Sequence, residues 1–108
     1  MKVGPRDDWF TAGAVDALLS EPWIVSPQSN RTGLRLTGPR LDRSRNAELL
    51  SEGIVSGAIQ VPPSGEPIVL LADHPTTGGY PVIAVVVTAD LPLAAQARPG
   101  QEIRFVQA

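Results

Sequence analysis

Cysteine is absent from the 108 residues of this chain, so neither a disulfide nor a thiolate metal site can form within it. Histidine is nearly absent: His74 stands alone, too little for a zinc centre, and no metal site is expected. Aromatic residues make up only 5%, so a core must be assembled from Val, Ile, Leu and Ala. The longest apolar runs, near residues 68–72 and 82–87, are strand-sized and far too short to span a bilayer. The opening Met1-Lys2-Val3-Gly4-Pro5 has no apolar signal region. A formal charge of −2 gives no general drive toward nucleic acid or anionic lipid. The expectation is a cytoplasmic protein that engages neither nucleic acid nor membrane.

What is present suggests a turn-rich β fold. Hydrophobic residues reach 43% against 19% charged, enough for one core, and the length allows a single domain over residues 1–108. Eleven prolines and ten glycines favour β architecture over a helical bundle. Thr11 is a natural N-cap for a helix whose apolar face is Ala14, Val15, Leu18 and Leu19, ended by Pro22. From Trp23 the period becomes strand-like. Strands are predicted at Trp23-Ile24-Val25, around Leu34 and Leu36, at Ala58-Ile59-Gln60-Val61, at residues 68–72 and 82–87, and around Ile103 and Phe105. Ser64-Gly65-Glu66 reads as a hairpin turn. Asp90 is expected to cap a short helix over residues 91–97, and a helical turn fits near residues 46–50. About six strands with one or two short helices give a mostly β fold, a barrel or a two-layer arrangement.

Three polar stretches interrupt this pattern. Residues 26–33 offer hydroxyls and amides beside Arg31, a set suited to a carboxylate or phosphoryl oxygen, or equally to an Asx/Ser turn. In residues 51–60, Gln60 places an amide in an apolar strand, where it faces either a polar cavity or neighbouring backbone. Residues 73–81 combine Asp73, Thr76 and Thr77 with Gly78, Gly79 and Tyr80. Paired glycines can open an anion-binding nest, Asp73 can act as a base and Tyr80 can donate a hydrogen bond; the same stretch also reads as a long hairpin turn. Residues 31–45 hold five arginines and one acid, a local charge of +4 that leaves −6 elsewhere. This is either a solvated basic face or an attractor for an anionic ligand or acidic partner.

In order along the chain, these stretches resemble a known family. Ser29-Asn30-Arg31-Thr32-Gly33-Leu34-Arg35-Leu36-Thr37-Gly38-Pro39, then Ser51-Glu52-Gly53-Ile54-Val55-Ser56-Gly57-Ala58-Ile59-Gln60-Val61-Pro62, then Thr76-Thr77-Gly78-Gly79-Tyr80-Pro81 are similar to blocks in the C-terminal part of KipA-like proteins. The family is also known as allophanate hydrolase subunit 2 or as the C-type subunit of 5-oxoprolinase, and is of the biotin-dependent-carboxyltransferase type. The resemblance implies a partial, cyclophilin-like β-barrel. It also implies an ATP-dependent reaction on a small amide or lactam, 5-oxoproline or a urea-type substrate. The implied partners are a KipI-like protein (allophanate hydrolase subunit 1) and the missing N-terminal portion of the chain's own subunit. An open sheet edge could also pair with a second copy, as a homo-oligomer. ATP or carboxybiotin would belong to the full complex, with no cofactor held by this chain alone.

Within that frame Asp73 and Tyr80 are the catalytic candidates, and Ser29, Arg31, Gln60, Thr76, Thr77, Gly78 and Gly79 the substrate-binding ones. No residue has the setting of a nucleophile, and the chain alone is expected to be inactive. Asn30 stands where the family usually has Asp, which puts a carboxylate's contribution in question. The alternative is a non-catalytic regulatory module that sequesters a KipI-like kinase inhibitor.

Overall fold

The computed structural model describes residues 1–44 and 52–107. In chain order these form β1 (Lys2–Val3), a 3-10 turn (Asp7–Trp9), α1 (Ala12–Ser20), β2 (Trp23–Val25), β3 (Gly33–Thr37), β4 (Glu52–Gly53) and β5 (Ala58–Gln60). Then come β6 (Ile68–Leu70), β7 (Thr77–Gly78), β8 (Val82–Val85), a 3-10 turn (Thr88–Asp90), α2 (Leu91–Ala95) and β9 (Glu102–Ile103). Seven strands make one antiparallel sheet in the order β1-β8-β5-β6-β3-β2-β9, curled as a half-barrel. β4 and β7 form a separate two-stranded ribbon. The fold is therefore mostly β with two short helices.

Alternation fixes the inner face. Leu34 and Leu36 of β3, Ile59 of β5, Val69 of β6 and Ile83 of β8 point inward, where Trp23, Leu18 and Phe105 join them. Thr11 caps α1 by accepting the Ala14 amide at 3.1 Å, and the Ala14–Leu18 face of the helix is buried. Trp23 locks helix to sheet: its indole N–H donates to the Leu18 carbonyl at 3.2 Å. The chain closes on itself, because the Met1 ammonium donates to the Val106 carbonyl at 2.7 Å.

The β5–β6 hairpin turns through Gly65, whose φ of +83° is a conformation that glycine alone adopts freely. Other expectations need correction. Residues 73–81 do not form a hairpin turn, because β6 and β8 are not paired: β5 lies between them. The stretch is instead a crossing loop that carries β7. Asp90 does not cap α2; its own backbone is helical and its side chain makes no capping bond, so α2 is a five-residue continuation of the preceding 3-10 turn. The last strand stops at Ile103, although Phe105 is buried as alternation requires. The helical turn expected near residues 46–50 lies outside the described residues.

Candidate functional site

The outer face of the sheet carries a second apolar cluster of Ala58, Leu70 and Val82, with Ile54, Ile68 and Val85 packed against it. In its midst stands Gln60, only 7% exposed and the one buried polar residue among those described. Register puts it there: Gln60 faces Ile68 of β6 on one side and Val82 of β8 on the other. Its amide makes no side-chain hydrogen bond to a described residue, and its polar atoms are not among those fully buried without a partner, so the amide end keeps contact with solvent. Of the two settings the sequence allowed, neighbouring backbone therefore does not satisfy this group.

The ribbon lies over Gln60. A Cβ placed on Gly78 would come within 2.3 Å of the Gln60 Nε2 and 3.4 Å of Ile54. A side chain at 78 would thus have to displace the flexible end of Gln60. Neither Gly78 nor Gly79 has positive φ, so the backbone here is a strand and not the alternating turn of an anion nest. The ribbon is tied down by its own pairing, by the Ile54 amide donating to the Thr76 carbonyl at 3.1 Å, and by an Arg6–Glu52 ion pair. The hydrogen bond to Glu52, reinforced by its charge and opposed by partial desolvation, raises the Arg6 pKa. That guanidinium also sits 5.7 Å from the centroid of the Trp9 ring.

The first and third polar stretches meet at the other end of β6. Because β3 and β6 pair antiparallel with Gly33 opposite Leu70, the residues before β3 lie beside those after β6. The Leu71 amide donates to the Thr32 carbonyl and the Asp73 amide to the Arg31 carbonyl. Arg31 and Asp73 also form an exposed ion pair, Nε to Oδ2 3.5 Å. Backbone bonding accounts for the rest of residues 26–33. Ser29 Oγ accepts from the Arg35 amide and donates to its carbonyl, and Asn30 Oδ1 accepts from the amides of Thr32 and Gly33. The third polar stretch thus meets the second at the ribbon and the first beyond the far end of β6. Thr76, Thr77, Gly79 and Tyr80 lie exposed along the ribbon and the turn after it.

Two clefts lie elsewhere. One of about 390 Å³ opens on the inner face between Met1, Leu34, Val69, Leu93 and Phe105. A small one of about 70 Å³ lies on the outer face between Arg35, Ile68, Pro62, Ser64 and Glu66. None of the predicted site residues lines either. Arg35, which sequence reasoning left out of the candidates, shares a face with Gln60; its signal was its exposed place in the Leu34-Arg35-Leu36 alternation.

Comparison with known proteins adds a family. The model of the family described as "Carboxyltransferase domain, subdomain A and B" matches residues 1–107. The C-type subunit of Escherichia coli 5-oxoprolinase is 49% identical over 104 residues, 96% of this chain and 34% of that protein. The urea amidolyase of Saccharomyces cerevisiae is 35% identical over 92% of this chain and 6% of its own length. The crystal structure of the Kluyveromyces lactis urea carboxylase superposes with a TM-score of 0.91 at 30% identity, over 98% of this chain and 10% of that one. The chain spans about a third of the length of the bacterial relative.

Proposed function

This chain belongs to the family of carboxyltransferase domains, subdomains A and B, and from that premise we propose that it forms part of a subunit that binds and activates a small amide, either a lactam such as 5-oxoproline or a urea. The reaction is ATP-dependent and requires a KipI-like partner. ATP or carboxybiotin is handled elsewhere in the complex, while this chain contributes contacts to the amide. Asp73 and Tyr80 remain the groups proposed for proton transfer, with Ser29, Arg31, Thr76, Thr77, Gly78 and Gly79 flanking the substrate and Gln60 orienting it.

The observation that carries this reading is Gln60, a polar residue only 7% exposed in an apolar surrounding, where the second polar stretch meets Gly78 of the third. A primary amide held among apolar side chains presents one acceptor and one donor to a small amide ligand. The test is ATP hydrolysis stimulated by 5-oxoproline in the assembled enzyme, with this chain replacing the corresponding part of a full-length subunit that serves as positive control. Stimulated hydrolysis supports the catalytic role. Its absence with an active control rejects it and leaves the module that sequesters a KipI-like partner.

A further inference from the structure

We propose that Arg40 and Arg43 hold a small monoanionic carboxylate in a cleft between residues 40–43 and the turn that follows β5. This site is separate from the amide-binding one and does not depend on it. The five arginines over residues 31–45 leave a local charge of +4, of which the proposed function uses only Arg31. Residues 40–43 run along the β5–β6 turn, the Leu41 amide donating to the Gly65 carbonyl at 2.9 Å. Between the two segments a cleft of about 230 Å³ is lined by Arg40, Leu41, Asp42, Arg43, Pro62 and Pro63. Both arginines and one acid thus border a single space.

Arg40 is held in place before any ligand arrives. Its Nε donates to Asp42 Oδ1 at 3.1 Å, its Nη1 to the Ser64 carbonyl at 3.2 Å and its Nη2 to the Pro63 carbonyl at 3.0 Å. Its stem packs on Gly65, where a Cβ would collide with the Arg40 Cγ. A guanidinium has five N–H bonds, so two on Arg40 are left for a ligand. Arg43 is engaged only once, its Nη2 donating to the Val61 carbonyl at 2.7 Å. Among the described residues it has no acidic partner, and its buried Nε–H has no hydrogen-bond partner. A partly buried charge without a counterion is costly to hold, and an anion beside it offsets that cost.

Charge and shape set the class of ligand. Two guanidiniums against Asp42 leave one positive charge in the cleft, which a monoanion balances and a dianion exceeds. A carboxylate is planar, with two acceptor oxygens that match a guanidinium fork, whereas a spherical chloride has no such match. The cleft is smaller than the roughly 300–1,000 Å³ of sites for drug-sized ligands, so a short carboxylate fits it and a nucleotide does not. Pro62 and Pro63 have no backbone N–H to compete for the anion, and their rings supply walls for a short apolar tail.

The test follows the side-chain Nε–H resonances of Arg40 and Arg43 in the isotope-labelled chain, titrated with sodium acetate, chloride and sulfate at matched ionic strength. Expected is a saturable shift at Arg43 with acetate, a weaker response to sulfate and none to chloride. Arg43→Lys keeps the charge and loses the fork, and should weaken acetate about tenfold, read from the Arg40 resonance. Asp42→Asn changes a side chain that is 66% exposed, so the fold should stay intact. It should tighten acetate about fivefold and raise sulfate above acetate. No response in the parent chain, an equal response to chloride, or acetate affinity unchanged in either variant overturns the proposal. Should Arg43→Lys fail to fold, Asp42→Asn alone decides. None of these outcomes depends on turnover of the assembled enzyme, which tests the amide-activating function alone.

Discussion

Gly78 and Gln60 show how one missing methyl group shapes a site. The Cβ of alanine at 78 would displace the Gln60 amide, whose flexible end can swing aside, so the site should change more than the fold. Gly78→Ala is expected to cost about 1 kcal/mol, seen as a melting temperature lowered by about 4–8 °C. Asn30 is a contrasting case. The sequence raised the concern that an amide replaces a carboxylate there, yet Oδ1 is used only as an acceptor for two backbone amides. Asn30→Asp should therefore leave thermal stability nearly unchanged, whereas Asn30→Ala should lose about 1 kcal/mol by the same melting measurement. Gln60 was legible in the sequence because an amide inside an apolar strand asks for a partner. That Arg35 lies on the same face was not, since 25 residues separate the two and only strand register relates them.

At the scale of elements, what depends on neighbours in sequence was readable and what depends on pairing was not. The Thr11 cap, the strand at Gly33–Thr37 and the Gly65 turn each follow from a few adjacent residues. The loop before β8 shows the limit: two apolar runs joined by Gly-Gly look like a hairpin whether or not a third strand lies between them. The β4–β7 ribbon was equally invisible, being two residues on each side. So short a ribbon is held largely by its ties to the rest of the chain. Arg6 and Glu52 are each about a third exposed (37% and 31%), so salt should weaken the pair, the screening length falling from about 10 Å at 0.1 M to 3 Å at 1 M. The pair raises the Arg6 pKa, so Arg6's share of the stability is fully present below the ordinary guanidinium range and lost only above it. Titration across neutral pH should not change that share. Hydrogen exchange of the Ile54 amide should accelerate in high salt and in Glu52→Gln, while the Ile59 amide at the sheet's centre keeps its protection.

The whole molecule depends on few large side chains. Trp23 is fully buried, lies against Gly38 and bonds to the helix, so it joins α1, the sheet edge and the inner core. Trp23→Ala should cost about 3–5 kcal/mol against a total of about 5–15, and circular dichroism should report a chain largely unfolded near body temperature. Trp23→Phe should stay folded with reduced stability. Aromatic scarcity in the sequence already implied such dependence; which tryptophan carries it required the packing. The contact between Met1 and Val106 has a different consequence. The polypeptide is topologically almost a loop, and the order in which its strands are synthesised is separable from the order in which they pair. A circular permutant, with the two ends joined by a short flexible peptide and new ends opened in the exposed turn at residues 27–28, retains every strand pairing of the parent and presents the same outer face.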